Sequence, residues 1–340
     1  MRIWLFHCLR VGYPFAKLMA DRGLVTGIIA VNREACPNSE EYFDYSQLCK
    51  ERGIEFIEVT SYSLNNEIDK EKLLSIDVDL AITSSWQRLI PGWFIKHCRY
   101  GVIGGHGSPT GISEGRGRSP QNWALIAGKK DFSLSIFWIE EGIDDGSVID
   151  TMTYEYDLSD DIVTSYDKTC LCMAEMIIRN LESGKIERHE GVPQSDRVAY
   201  FPKRTKEDGW IDWSRKGKEI YDFVRALTLP YPCAYTMVDD KIIRIIECKY
   251  ITIEGNILDS YRCGEVVLAP EWGNVWVKCR DGIVEIRKIS NPEEIVICEG
   301  LVFSSGDFYA QIQGIVERHK REIGLPVSHM ILDMMGEEQT

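Results

Sequence analysis

The sequence predicts an α/β fold in which a Rossmann-like, mostly parallel sheet flanked by helices is followed by a small antiparallel, OB-like β-barrel. Three observations support this prediction. Apolar strand-like runs alternate with helical patterns in the first part of the chain. A polar stretch from Glu187 to Asp208 then carries Pro193 and Pro202. The short alternating runs that follow are punctuated by Gly, Asn and Asp.

The length of the chain, 340 residues, exceeds the usual size of one domain. The polar, proline-containing stretch is the expected connection between two domains. We therefore expect an α/β domain over residues 1–190, a linker over 191–214, a barrel-like domain over 215–305, and a C-terminal helix and tail over 306–340.

In the first domain, apolar runs alternate with helical patterns. Strands are expected at 2–7, Val25–Val31, Ile54–Thr60, Val78–Thr83, Gly101–Ile103, Phe132–Ile139 and Val148–Tyr154. Helices are expected at Tyr13–Arg22, Glu41–Arg52, 65–75 and 92–98. A longer helix begins near Ser159 and Asp160, which favour a helix start, and its apolar stripe ends at Gly184. Such alternation predicts a parallel sheet covered by helices.

The second domain opens with a predicted helix at Lys216–Leu227, which is followed by a bend at Pro230–Tyr235. Strands are expected at Lys241–Ile253, Gly264–Leu268, Val275–Cys279 and Gly282–Ile289. Asp307–Arg321 carries apolar residues on one side and predicts an amphipathic helix, and the end Glu337–Thr340 is expected to be frayed.

The charge balance restricts the kind of partner. Acidic residues outnumber basic ones, 53 to 39, and the formal net charge is -14. Tight binding to a long polyanion needs many phosphate contacts and a basic face, so this balance argues against tRNA or DNA as a partner. A small phosphorylated ligand remains compatible with it, because one or two arginines can hold such a group.

Several common site motifs are missing. No GxGxxG follows the first strand, no GxxxxGK[ST] occurs, and the eleven scattered cysteines include no CxxC pair. We therefore expect no dinucleotide and no metal. Cys248 and Cys298 lie in apolar runs, where a free cysteine behaves as a small hydrophobe. Unpaired cysteines and the lack of a run of membrane-spanning length favour a cytoplasmic protein without a membrane partner.

A candidate site lies between Gly101 and Gly146. His106 follows the strand Gly101–Ile103, at the carboxyl edge where open α/β sheets bind ligands, and Asp144 lies in the turn after the strand Phe132–Ile139. A histidine and an acid from neighbouring strands make a proton-transfer pair. The alternatives are a structural histidine, an aspartate that serves the turn, and loop arginines that are merely solvated.

Two stretches resemble the folate-dependent formyltransferase family, which includes methionyl-tRNA formyltransferase and the sugar-nucleotide N-formyltransferases. The first contains His106-Gly107-Ser108, Arg116-Gly117-Arg118-Ser119-Pro120, Asn122-Trp123-Ala124-Leu125 and Glu141-Gly142-Ile143-Asp144-Asp145-Gly146. The second contains Tyr200-Phe201-Pro202-Lys203-Arg204, Asp208-Gly209-Trp210-Ile211-Asp212-Trp213, and Phe223 to Leu227 leading into Pro230-Tyr231-Pro232. The resemblance covers roughly residues 1 to 290 and makes the first domain the catalytic one.

The resemblance implies that an amine attacks the formyl group of 10-formyltetrahydrofolate, assisted by an Asn-x-His element and a downstream Asp. His106 and Asp144 fall on the last two of these, and Asp144 is expected to orient His106 and to help relay the proton. Gly104 stands where the family has Asn. That amide is expected to donate to the developing oxyanion, and removing one such donor costs on the order of 100- to 1000-fold in rate. Protonated His106, a backbone N–H of the glycine pair, or Asn122 are the candidate replacements.

The resemblance also implies two sets of binding residues. The donor 10-formyltetrahydrofolate is expected to contact Trp86, Gln87, Arg88, Leu89, Ile90, Ile139, Glu141, Gly142 and Asp144. A sugar-nucleotide acceptor is expected to contact Ser108, Arg116, Gly117, Arg118, Asn122, Lys203 and Arg204, because the Arg-Gly-Arg-Ser-Pro loop looks most like the sugar-nucleotide branch. Lys203 and Arg204 are alternatively plain linker charges.

The implied function is N-formylation of a nucleotide-linked amino sugar, for polysaccharide biosynthesis. Two alternatives remain open because of Gly104: a non-catalytic protein that binds folate or a sugar-nucleotide, and a transferase or hydrolase with altered chemistry. The barrel-like domain and the C-terminal helix are candidates for a homodimer contact.

Overall fold

The computed structural model describes residues 1–36, 41–86, 88–271, 273–290 and 295–336. Over these residues the chain divides into two compact units. The first contains Met1–Arg116, Phe132–Tyr154 and Tyr166–Val198, and the second contains Gly117–Asp131, Glu155–Ser165 and Ala199–Thr340. The predicted frayed end, Glu337–Thr340, lies outside the described residues.

The first unit is built on a sheet with the strand order β3-β2-β1-β4-β5-β7-β8 in the described part of the chain. The strands, with the separate short strand β6, are β1 Ile3–Phe6, β2 Gly27–Val31, β3 Glu55–Val59, β4 Leu80–Thr83, β5 Gly101–Ser108, β6 Arg116–Gly117, β7 Asp131–Trp138 and β8 Val148–Glu155. Strands β1 to β5 pair in parallel, whereas β7 runs antiparallel to β5. The predicted Rossmann-like, mostly parallel sheet is confirmed.

Helices cover both faces of this sheet because residues along its buried strands alternate between two apolar clusters. The helices are α1 Tyr13–Asp21, α2 Ser46–Arg52, α3 Glu67–Leu74, α4 Gly92–His97 and α6 Ile162–Glu182. Helix α5, Pro120–Ile126, belongs to the second unit. Ile3 and Leu5 of β1 face the cluster that contains residues of α1, α2 and α6. Trp4 and Phe6 face the other cluster, which contains Leu73 of α3 and Phe94 of α4.

Strand β5 is longer than predicted, which changes the position of His106. The strand continues past Ile103 to Ser108, so His106 lies inside it rather than in a loop after it. The reason is that β5 pairs with β7 from Ile103 opposite Trp138 to Ser108 opposite Ser133. Its parallel neighbour β4 ends at Thr83 opposite Gly104. His106 therefore lies just beyond the carboxyl end of the parallel part of the sheet.

The second unit contains an antiparallel sheet with the order β10-β11-β14-β13-β12, counted over the described residues. Its elements are β9 Tyr200–Phe201, α7 Gly217–Leu227, β10 Ala234–Val238, β11 Lys241–Thr252, β12 Val266–Leu268, β13 Val275–Cys279, β14 Gly282–Ser290, α8 Phe308–Glu322 and α9 His329–Gly336. This five-stranded sheet is the predicted small antiparallel β structure. Strand β9 lies outside it.

One short segment joins the two edges of this sheet. The segment Leu301–Ser304 bonds to Gly264 and Val266 beside β12, and its Ser304 N–H donates to Met237 of β10 over 2.9 Å. Isolated bridges join Val302 to Glu265 and Ser304 to Met237. The sheet is thereby closed into a barrel by a segment that is too short to count as a strand.

Some local predictions were wrong. Helix α2 begins at Ser46 instead of Glu41, because residues 41–43 pair with residues 8–10 through backbone hydrogen bonds such as Phe43 N–H to Cys8 O. Three further elements, α5, β10 and α9, were not predicted from the sequence. Helix α5 has Pro120 in its first turn, a position that proline favours, but the helix is only 7 residues long and its last four residues are all apolar, so no helical periodicity is visible.

Candidate active site

A pocket of about 120 Å³ opens in the first unit at the carboxyl end of β4. The loop after β4, the strand β5 and the turn after β7 supply its walls. The described residues that line it are Thr83, Ser84, Trp86, Arg88, Leu89, Ile90, Gly104, Gly105, Phe137, Ile139, Gly142 and Asp144. The structure therefore brings together most of the residues predicted to contact the donor.

His106 and Asp144 form the expected pair. The His106 Nδ1 lies 3.5 Å from Asp144 Oδ2, and the two side chains are 10% and 24% exposed. The other ring nitrogen, Nε2, lies 2.7 Å from the carbonyl oxygen of Gly115. Asp144 lines the pocket, whereas His106 is not among the described residues that do. Asp144 is thus the member of the pair that lines the pocket.

The Gly115 carbonyl orients the His106 ring. This oxygen can only accept, so Nε2 carries a proton when the bond is made. Nδ1 is then the ring nitrogen that faces the Asp144 carboxylate.

Hydrogen bonds from Gln194, which Arg116 contacts in turn, support the turn that carries Asp144. The Gln194 amide Nε2 donates to the carbonyl oxygens of Asp144 and Gly146 over 2.7 and 2.9 Å. Arg116 Nη2 donates to the Gln194 Oε1 over 2.9 Å. Asp144 itself has φ 51°, a left-handed conformation that aspartate tolerates better than most residues. No signal in the polar linker marks Gln194 as a support for this turn.

At Gly104 the space for a side chain is already filled. A Cβ at this position would lie 2.5 Å from Ile139 Cδ1 and 3.2 Å from Phe137 Cζ. The Ile139 side chain therefore occupies the volume that an asparagine would need. Ile139, the residue after β7, thus fills the space beside the glycine that stands where the family motif has asparagine.

The residues predicted to bind the donor take different positions around the pocket. Trp86 packs edge-on against Phe6, with ring centroids 5.1 Å apart, and Ile90 is buried. Leu89 is exposed, as is Glu141, whose carboxylate lies beside Gly92. Gly142 and Ile139 line the pocket together with Arg88. Gln87 lies outside the described residues.

A buried histidine that the sequence analysis passed over supports the loop after β4. His7, at the end of β1, is fully buried, and its Nδ1 lies 2.9 Å from Ser85 Oγ. Ser84 Oγ, on the pocket wall, lies 3.4 Å from His7 Nε2. Burial lowers the pKa of His7 to about 3. The ring is therefore neutral at physiological pH and orients the two serines.

Two residues predicted to bind the acceptor have structural contacts in the first unit. Ser108 is buried, and its Oγ lies 3.0 Å from the Thr110 hydroxyl and accepts from the Thr110 N–H. Arg116 is 7% exposed and donates to Gln194. Both side chains therefore stabilise the loop after β5 in this conformation.

The other predicted acceptor contacts belong to the second unit. Gly117 has φ 95° and leaves no room for a Cβ beside Phe201 O, while Arg118 and Lys203 are exposed. Asn122 and Arg204 line a second pocket with Ser119, Thr205, Lys206, Gly209, Leu227, Tyr231, Pro232 and Cys233. The structure thus brings Asn122 and Arg204 together.

Arg204 stacks on Trp123, with its guanidinium 4.8 Å from the ring centroid, and burial lowers its pKa to about 10. Its Nη2 donates to the backbone carbonyl of Asp208, whose carboxylate pairs with Arg318. The Asn122 amide nitrogen donates to Ala226 O over 2.6 Å. In this second pocket, Asn122 Oδ1 and Arg204 Nε and Nη1 are buried without a hydrogen-bond partner among the described residues.

Two negative findings concern the described residues alone. Within them, no helix is both long enough and apolar enough to cross a membrane. Nor do the described side chains include a group of three His, Cys, Asp or Glu that could hold a metal ion.

Comparison with known proteins identifies the family. The family model described as "Formyl transferase" matches residues 38–181, and the model described as "Formyl transferase, C-terminal domain" matches residues 203–297. The methionyl-tRNA formyltransferase of Thermodesulfovibrio yellowstonii is 30% identical to this chain over 236 residues, which are 69% of this chain and 73% of that relative.

Two solved structures show the same fold. HypX from Aquifex aeolicus, in complex with tetrahydrofolic acid, matches with a TM-score of 0.61 at 18% identity and covers 96% of this chain; the chain spans about half of HypX, 48%. WlaRD, a sugar 3N-formyl transferase in the presence of dTDP and 5-N-formyl-THF, matches with a TM-score of 0.57 at 14% identity, over 87% of this chain and 99% of its own. With the sequence relative and the two matched domains, these findings show that the chain belongs to the formyl transferase family.

Proposed function

We propose that this protein is an N-formyltransferase that moves the formyl group of 10-formyltetrahydrofolate to the amine of a nucleotide-linked amino sugar. The observation that carries the proposal is Asp144, a residue that lines the pocket and whose carboxylate pairs with His106. A folate donor suits the lining of the pocket, which includes the aromatic residues Trp86 and Phe137.

The donor supplies an activated formyl group. The amine nitrogen forms a bond to the formyl carbon, the bond from that carbon to folate N10 breaks, and one proton passes from the amine to N10. Asp144 is placed to accept the proton from the amine, since it lines the pocket. His106 Nδ1, 3.5 Å from Asp144 Oδ2, holds the carboxylate in position from the other side. Gln194 and Arg116 keep the turn in its left-handed conformation.

The acceptor is assigned from charge and from the second pocket. The net charge of -14 disfavours tRNA. Arg204, with unpaired buried N–H groups, and Asn122, with an unpaired carbonyl oxygen, offer both donors and an acceptor to a polar ligand such as a sugar-nucleotide. The second candidate is the amine of methionyl-tRNA, which the sequence relatives favour.

A direct test incubates the protein with 10-formyltetrahydrofolate and either dTDP- or UDP-linked amino sugars or methionyl-tRNA. We expect a mass gain of one formyl group on an amino sugar and none on the methionyl-tRNA. Formylation of methionyl-tRNA alone would support the second candidate. Release of formate without an amine would indicate hydrolysis, and no product in any arm would contradict the proposal.

The role of Asp144 is tested by the substitution Asp144→Asn. We expect kcat to fall by about 100- to 10,000-fold, the usual contribution of a general base, with little change in thermal stability. Glu140→Gln, on the exposed part of the same turn, is the matched control and should retain full activity. Equal activity of the Asp144→Asn protein and the control would contradict the assignment.

A further inference from the structure

We propose that Gln194 is a positioning residue for the formyl transfer, which fixes His106 and Asp144 relative to each other by holding the backbone on both sides of the pair. The inference deepens the proposed function and rests on it. Gln194 falls within the predicted linker, residues 191–214, and belongs to the first unit of the structure.

The pairing of the backbone brings Gln194 opposite the turn that carries Asp144. Val192 and Val148 exchange two backbone hydrogen bonds of 2.8 Å, as a pair of residues in an antiparallel ladder does. In this register Gln194 lies opposite Gly146. Val192 is exposed, whereas Gln194 is half-buried and bonds to the turn through its side chain.

The amide of Gln194 bonds to two segments at once. Its Nε2 donates to the carbonyl oxygens of Asp144 and Gly146 over 2.7 and 2.9 Å. On its other side, Arg116 Nε and Nη2 donate to its Oε1 over 3.3 and 2.9 Å. Because an arginine can only donate, it also fixes which end of the amide faces the turn. A charged donor on Oε1 polarises the amide and strengthens the bonds that Nε2 makes.

The second of these segments, which ends at Arg116, holds His106. Gly115 directly precedes Arg116, and its carbonyl oxygen accepts from His106 Nε2 over 2.7 Å. The Ser195 N–H donates to Ser113 Oγ over 3.2 Å, at the start of the same short loop. Two consecutive residues of the predicted linker therefore fasten both ends of the loop that orients the histidine ring.

The geometry of the pair makes this support matter for the reaction. His106 Nδ1 and Asp144 Oδ2 are 3.5 Å apart, so a small shift of either residue makes or breaks their hydrogen bond. Asp144 also has φ 51°, a conformation that persists only when its surroundings hold it. A misplacement of about 1 Å can cost on the order of 100-fold in rate. Gln194 is not one of the described residues that line the pocket, so its effect passes through the pair.

The test removes the amide with Gln194→Met, which keeps the length of the side chain. We expect kcat to fall about 10- to 100-fold and the KM of the donor to change by less than about 2-fold, because the lining of the pocket is intact. Gln194→Glu should be equally impaired, since it keeps an acceptor for Arg116 but has no N–H for the turn. Gln47→Met, at an exposed glutamine of α2, is the matched control and should keep the wild-type kcat.

A double-mutant cycle separates positioning from a general loss of structure. In the Asp144→Asn background, Gln194→Met should lower the remaining kcat by less than about 2-fold, because the group that Gln194 positions is already gone. If the two losses multiply in full, Gln194 acts elsewhere and the inference is overturned. An unchanged kcat in Gln194→Met, or full activity in Gln194→Glu, would overturn it as well.

A crystal structure of the Gln194→Met protein separates this inference from the proposed function. Without the amide, we expect the distance between His106 Nδ1 and Asp144 Oδ2 to exceed the present 3.5 Å. If the wild type formylates no amine, the proposed function fails, and the structure of the variant still decides whether Gln194 positions the pair. An unchanged pair in the variant would overturn the inference even if the wild type is an active formyltransferase.

Discussion

Gly104 and Ile139 are best understood as one unit of packing. An asparagine at position 104 would place its Cβ 2.5 Å from Ile139 Cδ1, so the single substitution Gly104→Asn must displace Ile139. We expect a loss of about 1–3 kcal/mol in the free energy of unfolding, measured by urea denaturation, and no gain in activity. The double substitution Gly104→Asn with Ile139→Ala should recover part of the stability.

Gly314→Asn is the control for this pair. A Cβ at Gly314, in α8, meets nothing within 4 Å, so the substitution should change stability by less than about 0.5 kcal/mol. If Gly104→Asn is as stable as this control, the loop that carries Ile139 yields easily. The packing at position 104 would then not depend on the side chain at position 139.

At the residue scale the sequence predicted His106, Asp144 and the departure at Gly104, because all three lie in short motifs that carry the resemblance to the family. It gave no sign of Gln194 or of the part that Ile139 plays at Gly104, since both contacts join segments that are distant along the chain. Arg116 was expected to face a ligand, but it is buried and bonded to Gln194. A loop arginine looks the same in sequence whether it is solvated or buried.

At the scale of elements, the end of β1 and the loop after β4 depend on a neutral histidine. His7 has its pKa lowered to about 3 by burial, against 6.5 for a free histidine. The unfolded chain therefore binds more protons than the folded one between these values, and stability falls as the pH is lowered through this window. We expect a loss of about 1.4 kcal/mol per pH unit between pH 6 and 4 from this residue.

The measurement is the free energy of unfolding against pH for the wild type and His7→Gln. The variant should be less stable at pH 7, and its slope below pH 6 should be shallower, because the titrating group has been removed. His189→Gln, at an exposed histidine, should leave the wild-type slope unchanged. An unchanged slope in His7→Gln would show that other groups cause the acid sensitivity.

Element boundaries were predicted well where a strand or helix ends at a local signal, as α7 does at Leu227 and β13 does at Cys279. They failed where pairing with a distant segment sets the end. Strand β5 extends to Ser108 because β7 lies beside it, and residues 41–43 are extended because residues 8–10 pair with them. Tertiary hydrogen bonds of this kind override the local pattern.

Over the whole molecule, the expected reactivity of each cysteine depends on how far its thiol is buried. Cys263 and Cys298 are exposed, so the expectation that Cys298 is buried in an apolar run was wrong, whereas Cys248 is buried as expected. Burial raises the pKa of Cys8, Cys98, Cys170 and Cys279 to about 12. Thiols of this kind are unreactive at neutral pH, because the thiolate is the nucleophile.

We therefore expect the folded protein to show two rapidly reacting thiols with a disulfide reagent at pH 7.5, those of Cys263 and Cys298. Denatured protein should show all eleven. The substitutions Cys263→Ser and Cys298→Ser should each remove one fast equivalent. Rapid reaction of the buried thiols before unfolding would contradict the burial described here.

The segment Leu301–Ser304, which closes the barrel, limits where the second unit can be truncated. The match to the C-terminal family domain ends at residue 297, whereas Leu301–Ser304, which joins β12 to β10, comes after it. A chain cut at the family boundary would leave the hydrogen-bonding groups of both outer strands open to a second molecule. Such unpaired edges recruit strands from other chains, so the shortened protein should self-associate into β-rich aggregates. The segment Leu301–Ser304 thus completes the barrel and also prevents other molecules of the same protein from pairing with its outer strands.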